Sequence, residues 1–344
     1  MRIRTWLSII LVGALAGCGH GSAPLAKAAQ AARVGARMQL PGTVSLLVQP
    51  QDGTKPIVDA IDGAASSVWL QIYMLTDTNV IEALVRAAAR GLEVRVLMEE
   101  SPYNPGNPNG GGLNTNKITA AALQARGVTV AFTNPAFAFT HAKSMLVDGT
   151  TAYVLTYNLT KAATEDNREF GVVCRDPSNV TELKKIFEAD WARVPYRALN
   201  PDVVVSPENA RWRIFGLMEA AQRELWVGVE SLTDPEAVAL LEAKHRAGVD
   251  VRVLVGGVKK MTSNLPPARE LIAAGVPVRS QARPYLHAKY AISDGQAAYV
   301  GSINLSTNSL DENRELGLIV GDATVLGRLH ETFAGDWNTA QPVN

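Results

Sequence analysis

Two short segments of the sequence carry the same reactive side chains at the same spacing. In each of them a lysine lies two residues after a histidine, and an aspartate lies five residues after the lysine: His141, Lys143 and Asp148, then His287, Lys289 and Asp294. Because residues two apart on a β-strand point to the same face, we expect each histidine to lie beside its lysine. Each segment therefore offers an imidazole for nucleophilic attack or proton transfer, next to a fixed cation.

Further polar residues follow both segments at matched distances. An asparagine lies ten residues after each aspartate, a hydroxyl residue lies two before that asparagine, and a glutamate lies 28 residues after each histidine: Asn158, Thr156 and Glu169, then Asn304, Ser302 and Glu315. Lysine and asparagine can donate hydrogen bonds to the oxygens of a phosphodiester. A neutral imidazole can attack phosphorus, a protonated one can release the alcohol, and a glutamate can fix the tautomer of each. The pattern indicates phosphodiester chemistry.

The two segments belong to a longer internal repeat. The stretch 68–77 matches 225–234 at a shift of 157 residues, and the histidine segments match at a shift of 146. In each repeat a helix precedes an apolar strand, an aspartate with N-cap chemistry begins the next helix, and another strand follows. Strands alternating with helices predict an α/β fold whose mixed or parallel sheets are covered by helices. A Pro-rich join near 196–207 divides the chain into repeats 43–197 and 198–344.

The doubled pattern of His-x-Lys, four residues, Asp, and later a small residue, any residue and Asn resembles the phospholipase D superfamily over about residues 43–340. The resemblance implies two similar α/β lobes packed with pseudo-twofold symmetry and an active site between them. It also implies a phosphohistidine intermediate, no metal and no other cofactor. The residues that it makes catalytic are the matched set His141, Lys143, Asn158, Glu169, His287, Lys289, Asn304 and Glu315. In such enzymes the first motif usually supplies the nucleophile, which favours His141, with His287 as general acid.

The remaining matched residues have weaker claims to chemistry. Asp148 and Asp294 each precede a glycine between apolar runs, which predicts a hairpin turn and favours a structural role. Thr156 and Ser302 are expected to support the site. Repeat 1 has Leu155 where repeat 2 has Gly301, so the approach of the backbone to a phosphate is expected to be tighter in repeat 1.

The N-terminal residues predict a processed lipoprotein. Arg2 and Arg4 precede a short apolar run that ends at Leu-Ala-Gly-Cys18, which resembles a bacterial lipobox. Residues 1–17 are thus predicted to be a signal peptide, Cys18 the lipidated residue and 18–42 a tether to a membrane of the bacterial envelope, with the catalytic part outside the cytoplasmic membrane. Cys174 is the remaining cysteine, which excludes an internal disulfide and a Cys-rich zinc site.

The charge balance bears on the substrate. The chain has 33 basic and 33 acidic residues, and removal of Arg2 and Arg4 with the signal peptide leaves 31 − 33 = −2. Proteins that contact many nucleic-acid phosphates usually carry a basic excess. The leading hypothesis is therefore a monomeric, phospholipid-directed phosphodiesterase of the phospholipase D type.

Two alternatives stay open. A nuclease of the same superfamily could use Arg279 and Arg283, just before His287, to seat a polynucleotide backbone. A non-catalytic lipoprotein could keep the fold, although retention of both residue sets argues against it. Three aromatic residues that precede His141 fit either an apolar entry or strand packing: Phe132, Phe137 and Phe139.

Overall fold

The computed structural model describes residues 42–103 and 115–343. The predicted signal peptide, Cys18 and all of the predicted tether except Gly42 lie outside these residues and stay predictions. Within the described part of the chain no helix combines the length and the apolar character that a bilayer span requires.

The first half of the chain forms one mixed sheet with helices on it. Its strands are β1 (Val44–Gln49), β2 (Ser67–Ile72), β3 (Glu93–Met98), β4 (Thr129–Phe132), β5 (Ser144–Val147), β6 (Thr151–Leu155) and β7 (Asn167–Cys174). Its helices are α1 (Lys55–Asp62), α2 (Thr78–Ala89), α3 (Thr115–Gln124), α4 (Lys161–Glu165) and α5 (Pro177–Ala192). The strand order is β1-β7-β6-β5-β2-β3-β4, with β2, β3 and β4 parallel and the others antiparallel to their neighbours.

The second half repeats this arrangement. Its strands are β8 (Val203–Ser206), β9 (Glu224–Val229), β10 (Asp250–Gly256), β11 (Val278–Gln281), β12 (Tyr285–Leu286), β13 (Lys289–Ser293), β14 (Ala297–Gly301), β15 (Glu315–Val320) and β16 (Gln341–Pro342). Its helices are α6 (Ala210–Ala220), α7 (Pro235–Arg246), α8 (Leu265–Ala273), α9 (Thr307–Asp311) and α10 (Ala323–Thr339). The order β8-β15-β14-β13-β9-β10-β11 matches the first sheet, and β16 adds an edge strand. The predicted α/β fold with two similar lobes is confirmed.

Local sequence explains how the repeated elements begin. The side chain of Asp77 accepts hydrogen bonds from the backbone amides at the start of α2, and Asp234 does the same for α7. These bonds satisfy amides that a helix N-terminus leaves without partners. In both lobes the helix starts six residues after the end of the strand that precedes it, so the connection after β2 matches the connection after β9.

The two lobes share a core between their sheets. One continuous cluster of buried apolar residues includes Trp69 and Phe187 from the first lobe and Trp226 and Phe333 from the second. Within each lobe the rings stack, with centroids 5.3 Å apart for Trp69 and Phe187 and 4.9 Å apart for Trp226 and Phe333. Because burial of aromatic surface is strongly favourable, this shared core holds the lobes in one fixed relation.

Two buried ion pairs also join the lobes. Arg168 Nε lies 2.7 Å from Asp336 Oδ2, and Arg314 Nη2 lies 2.8 Å from Asp190 Oδ1. Each pair joins an arginine of one lobe to an aspartate of the other, and the two pairs are related by the same sequence shift as the two histidine segments. The sequence leaves the role of these arginines open, and the structure makes them inter-lobe contacts.

Candidate active site

Each histidine segment is hydrogen-bonded to the opposite lobe. The backbone amide of His141 donates to the carbonyl oxygen of Arg314 at 2.8 Å, and that of His287 donates to the carbonyl oxygen of Arg168 at 3.2 Å. In the second case the contact is a short parallel ladder, because β12 pairs with β7 of the first sheet. The backbone thus brings both imidazoles to the boundary between the lobes.

The carboxylate beside each imidazole comes from the other repeat. His141 Nδ1 lies 2.9 Å from Glu315 Oε2, and His287 Nδ1 lies 2.5 Å from Glu169 Oε1. Both glutamate side chains are fully buried, so the cations and hydrogen-bond donors around them must offset the cost of desolvation. A carboxylate at Nδ1 fixes the tautomer and leaves Nε2 to face a substrate. The equal spacing of histidine and glutamate within each repeat does not identify these partners.

The two glutamates are held differently. Thr156 Oγ1 donates to Glu169 Oε2 at 2.7 Å and accepts from the amide of Phe170, so Thr156 positions that carboxylate directly. Ser302 Oγ instead bonds the backbone of Leu316 and does not reach Glu315. Asn313 Nδ2 donates to Glu315 Oε1 at 3.0 Å, which leaves the second carboxylate anchored by an amide. The supporting role expected of the hydroxyls is therefore a direct contact in one lobe only.

Both lysines are buried at the site. Lys143 Nζ donates to the carbonyl oxygen of His141, and Lys289 Nζ donates to that of His287. These contacts agree with the expected placement of each lysine beside its histidine. Burial lowers the pKa of Lys143 to about 7, opposed mainly by the nearby Glu315 carboxylate.

The asparagines differ in the same way as the hydroxyls. Asn304 Oδ1 accepts from the backbone amide of Ser231 at 3.0 Å, which fixes its side chain beside the end of β9. The side-chain oxygen of Asn158 is buried and accepts no hydrogen bond from the described residues. An orphaned polar atom inside a protein is costly unless something occupies the space before it. The Asn158 oxygen is therefore open to a hydrogen-bond donor, such as a hydroxyl group of a substrate.

The aspartates of both motifs lie away from the imidazoles. Asp148 and Asp294 take up left-handed backbone conformations with φ of 53° and 55° at their hairpin turns. The Asp148 carboxylate accepts hydrogen bonds from the amides of residues 65–67, and the Asp294 carboxylate from those of residues 222–224. They connect each hairpin to the strand beside it, in keeping with the structural role favoured from sequence.

Leu155 does not narrow the site. It is buried in the core of the first lobe, with its Cδ2 atom 2.9 Å from the point where a Cβ on Gly171 would lie. In the second lobe a Cβ on Gly301 would lie 2.4 Å from the Cα of Gly317, so two strands approach closely there instead. The difference between Leu155 and Gly301 is thus one of core packing. The expectation of a tighter approach to phosphate has no basis in these contacts.

The aromatic residues before His141 serve different purposes. The Phe139 ring packs edge-on against Tyr73, with centroids 6.0 Å apart, and Phe137 lies under the Arg314 guanidinium. Phe132 packs against the core of the first lobe. Of the three phenylalanines, Phe139 alone packs against Tyr73, the ring that contacts His141. An apolar entry to His141 would therefore be lined by Phe139 and Tyr73.

Sequence reasoning missed one charged residue of the site. Glu230, directly after β9, lies 3.0 Å from Lys289 Nζ and 3.3 Å from His287 Nε2. Its equivalent in the first repeat is Tyr73, whose ring lies edge-on to His141 with centroids 4.7 Å apart. The aligned segments 68–77 and 225–234 already contain this difference, so a comparison of mismatches would have found it.

The electrostatics of the two imidazoles differ. Burial, then the Lys143 ammonium, lowers the pKa of His141 to about 4. Burial acts to raise the pKa of Glu230, but His287 and Lys289 outweigh it and hold that pKa at about 2. His141 is thus neutral near pH 7 and can act as a nucleophile, while a carboxylate stands beside Nε2 of His287.

No group of three or more His, Cys, Asp or Glu side chains within residues 42–103 and 115–343 is arranged to hold a metal ion. The side chains that the site itself offers to the charge of a phosphate include Lys143 and Lys289. Metal-independent activity stays a prediction, to be tested with a chelator.

Comparison with known proteins places this geometry in context. The family model described as "Cardiolipin synthase, PLD-like domain" matches the chain twice, over residues 57–191 and 214–337. Polyphosphate kinase 1 of Chlorobaculum tepidum is 27% identical over 307 residues, which cover 83% of this chain and 42% of that protein. A cardiolipin synthase of Geobacillus sp. strain WCH70 is 22% identical over 342 residues, which cover 87% of this chain and 67% of that protein. The chain thus spans less than half of the first relative and about two thirds of the second.

A solved structure supports the same likeness at the level of the fold. The crystal structure of phosphatidylserine synthase from Haemophilus influenzae Rd KW20 matches with a TM-score of 0.69 at 12% sequence identity. The match covers 86% of this chain and 85% of that one, so it extends over both lobes.

Proposed function

The chain belongs to the phospholipase D superfamily, and from this premise we propose that it is a phospholipid-directed phosphodiesterase that reacts through a phosphohistidine. The observation that carries the proposal is the convergence of both histidines and their lysines on one boundary between the lobes, with a buried carboxylate at Nδ1 of each imidazole. A protein that only kept the fold would not need both buried carboxylates, because each of them costs desolvation.

The proposed reaction has two steps. Nε2 of His141 attacks phosphorus, a P–N bond forms, the P–O bond to the alcohol breaks, and His287 gives its proton to the departing oxygen. Water then attacks the phosphohistidine, His287 takes a proton from it, and the P–N bond breaks. Lys143, Lys289 and the asparagines donate hydrogen bonds to the phosphoryl oxygens as their charge grows.

A phospholipid fits the charge of this chain better than a polynucleotide does. The net charge after removal of the signal peptide is −2, and Arg279, one of the two arginines considered for a nuclease, donates to the carbonyl oxygen of Trp337 and stacks on its ring. Arg283 is exposed and stays available. The names of the cardiolipin synthase and phosphatidylserine synthase relatives also point to phospholipid substrates.

Transfer to an alcohol is the second candidate function. The relatives that the chain resembles are named as synthases and a kinase rather than hydrolases. A phosphohistidine can react with any hydroxyl that reaches it in place of water, so the same site can serve both outcomes. The acceptor that reaches the phosphohistidine decides between them.

Attachment to a membrane through Cys18 is part of the proposal. A lipidated N-terminus would hold the enzyme at the surface that contains its substrate. Cys18→Ser is expected to abolish lipidation and to leave uncleaved precursor in cells. Metabolic labelling with a fatty acid checks this, and label retained by the variant contradicts the lipobox.

The activity is tested with the mature protein, in chelator, on phospholipid vesicles with a labelled head group and, separately, on labelled single-stranded DNA. Release of the labelled alcohol from vesicles, with none from DNA, is the expected result, and His141→Ala should abolish it. Addition of glycerol distinguishes the two outcomes, because transfer yields a new phosphatidyl alcohol in place of phosphatidic acid. Cleavage of DNA alone would favour the nuclease, and no turnover of either substrate contradicts the proposal.

A further inference from the structure

The two halves of the site differ most at the carboxyl ends of β2 and β9. Each of these strands is followed by one side chain that points at an imidazole: Tyr73 in the first lobe and Glu230 in the second. The histidines, lysines and buried glutamates around them are matched. A neutral ring in one lobe therefore stands where the other lobe has a carboxylate.

Both ring nitrogens of His287 face carboxylates. Nδ1 lies 2.5 Å from Glu169 and Nε2 lies 3.3 Å from Glu230. Two carboxylates beside one imidazole give it an electrostatic environment that suits a positive charge, although Lys289 Nζ also lies 3.3 Å from Nδ1. His141 has a carboxylate at Nδ1 alone, and within the described residues its Nε2 has no hydrogen-bond partner.

We propose that Glu230 is a positioning residue that keeps His287 doubly protonated and so assigns the two histidines their roles, His287 as the general acid and His141 as the nucleophile. The proposal rests on the proposed phosphohistidine reaction. Without Glu230 the two imidazoles would be almost equivalent, and a two-step displacement needs one of them neutral and the other charged.

The charges that face each imidazole support the assignment. His287 is faced by Glu169 from β7, Glu230 after β9 and Lys289 from β13, which sum to −1. His141 is faced by Glu315 from β15 and by Lys143 next to β5, which sum to 0. Lys289 adds a weaker repulsion for a proton on His141, and Glu230 adds a weaker attraction than the one it exerts on His287.

The side chains that follow β2 and β9 differ in charge as well as in shape. Burial raises the pKa of Tyr73 to about 12, so the side chain opposite His141 stays an uncharged phenol. On the other side, Tyr285 Oη donates to Glu230 Oε1 at 3.3 Å and Lys289 donates to Oε2, which hold the carboxylate in place. Since Glu230 already has these partners, it is not free to bind a cation of the substrate.

Glu230→Gln isolates the charge. A glutamine oxygen can still accept from Lys289, but it cannot stabilise the imidazolium as a carboxylate does. The variant therefore removes the negative charge that lies beside Nε2 of His287. Alkoxide release from a phospholipid should slow, while release of nitrophenolate from bis(4-nitrophenyl) phosphate needs no proton and should change little. Glu230→Asp should recover part of the loss, and Glu219→Gln, at an exposed position of α6, serves as the matched control.

Glu230→Tyr gives the second lobe the residue that the first lobe has. With the two halves made alike, phosphohistidine should form on both His141 and His287 in place of His141 alone. Mass spectrometry of peptides after a denaturing alkaline quench measures this distribution with bis(4-nitrophenyl) phosphate as the substrate. Label confined to His141 in both wild type and variant would overturn the proposal.

The wild-type protein supplies a test that needs no turnover. Side-chain ¹⁵N NMR of the histidines, assigned with His141→Asn and His287→Asn, should show His287 as imidazolium and His141 as neutral imidazole at pH 7. A neutral His287 at that pH refutes the role of Glu230. If no substrate is turned over but the NMR result holds, the function assigned to the site fails while the assignment of charge stands.

Discussion

The two inter-lobe ion pairs are equivalent by symmetry, and we predict that they are unequal in energy. Asp336→Asn removes the charge that faces Arg168, and Asp190→Asn removes the charge that faces Arg314. In each wild-type pair two guanidinium nitrogens bond two carboxylate oxygens, at 2.7 and 3.0 Å for Arg168 and at 2.9 and 2.8 Å for Arg314. The two pairs differ in the hydrogen-bond and ion-pair partners that each arginine retains after the substitution.

Arg314 keeps a second carboxylate and Arg168 does not. Arg314 Nη1 lies 2.5 Å from Glu208 Oε1, whereas the other acceptors of Arg168 are the neutral oxygens of Gln49 and Gln51. Removal of one partner from a buried ion pair costs about 3–5 kcal/mol, because a charge is left in the interior without compensation. We therefore expect a loss of about 4 kcal/mol for Asp336→Asn and about 2 kcal/mol for Asp190→Asn.

Thermal unfolding followed by circular dichroism measures the difference. At about 2–4 °C for each kcal/mol, Asp336→Asn should lower the Tm by roughly 10 °C and Asp190→Asn by roughly 5 °C. Asp59→Asn, at an ion pair whose side chains are 79% and 58% exposed, is the control and should give no measurable change. Equal decreases in Tm, or a larger decrease for Asp190→Asn, would refute the reasoning. The double variant Asp190→Asn with Glu208→Gln should have a Tm as low as that of Asp336→Asn, and a higher Tm would also refute it.

Three further predictions concern the reaction. Turnover of bis(4-nitrophenyl) phosphate should be unchanged in excess EDTA, and activity that is lost and then restored by a divalent ion contradicts the metal-free mechanism. Because burial and Lys143 hold the pKa of His141 at about 4, the acid limb of kcat/KM should lie near pH 4 rather than near the ordinary histidine value of about 6.5. Between these two pH values the unfolded chain binds a proton that the folded protein does not bind at His141. The free energy of unfolding should therefore also fall as the pH is lowered from about 6.5 to 4. Thr156→Ala should slow the reaction by roughly tenfold, because it removes a hydrogen-bond partner that orients a catalytic group. Ser302→Ala should slow it less, since of these two hydroxyls only that of Thr156 donates to a glutamate. Equal losses in the steady-state rates of the two variants would count against direct positioning by Thr156.

Much of the fold follows from the sequence because the repeat is visible in local patterns. Apolar strands, helix periodicity and the capping residues Asp77 and Asp234 are short-range signals, and the structure has them where the sequence predicts them. The two Asp-Gly turns are of the same kind, since left-handed φ at Asp148 and Asp294 is a local requirement of the hairpin. Such features need no knowledge of the rest of the chain.

The pairing of the catalytic groups could not be predicted in the same way. Glu169 and Glu315 each follow a histidine of their own repeat at the same spacing, and each contacts the histidine of the other repeat. The spacing of residues within a repeat does not reveal this exchange of partners, because the exchange depends on how the two lobes pack against each other. Glu230 is a different case, because the aligned repeats already show a glutamate there and a tyrosine at position 73. A search for residues that are the same in both repeats does not consider a position at which the repeats differ.

The exchange of partners explains why one lobe cannot act alone. Separation of the lobes would leave Glu169 and Glu315 buried or half-buried without their imidazoles, and would remove the carbonyl oxygens that hold both histidine segments. Two identical lobes would restore every one of these contacts, yet they would also give both histidines the same surroundings. Because the reaction needs one neutral and one charged imidazole, a residue that differs between the lobes can decide which of the two carries the proton. In this chain the position after β2 and β9 supplies that difference, with a phenol on one side and a carboxylate on the other.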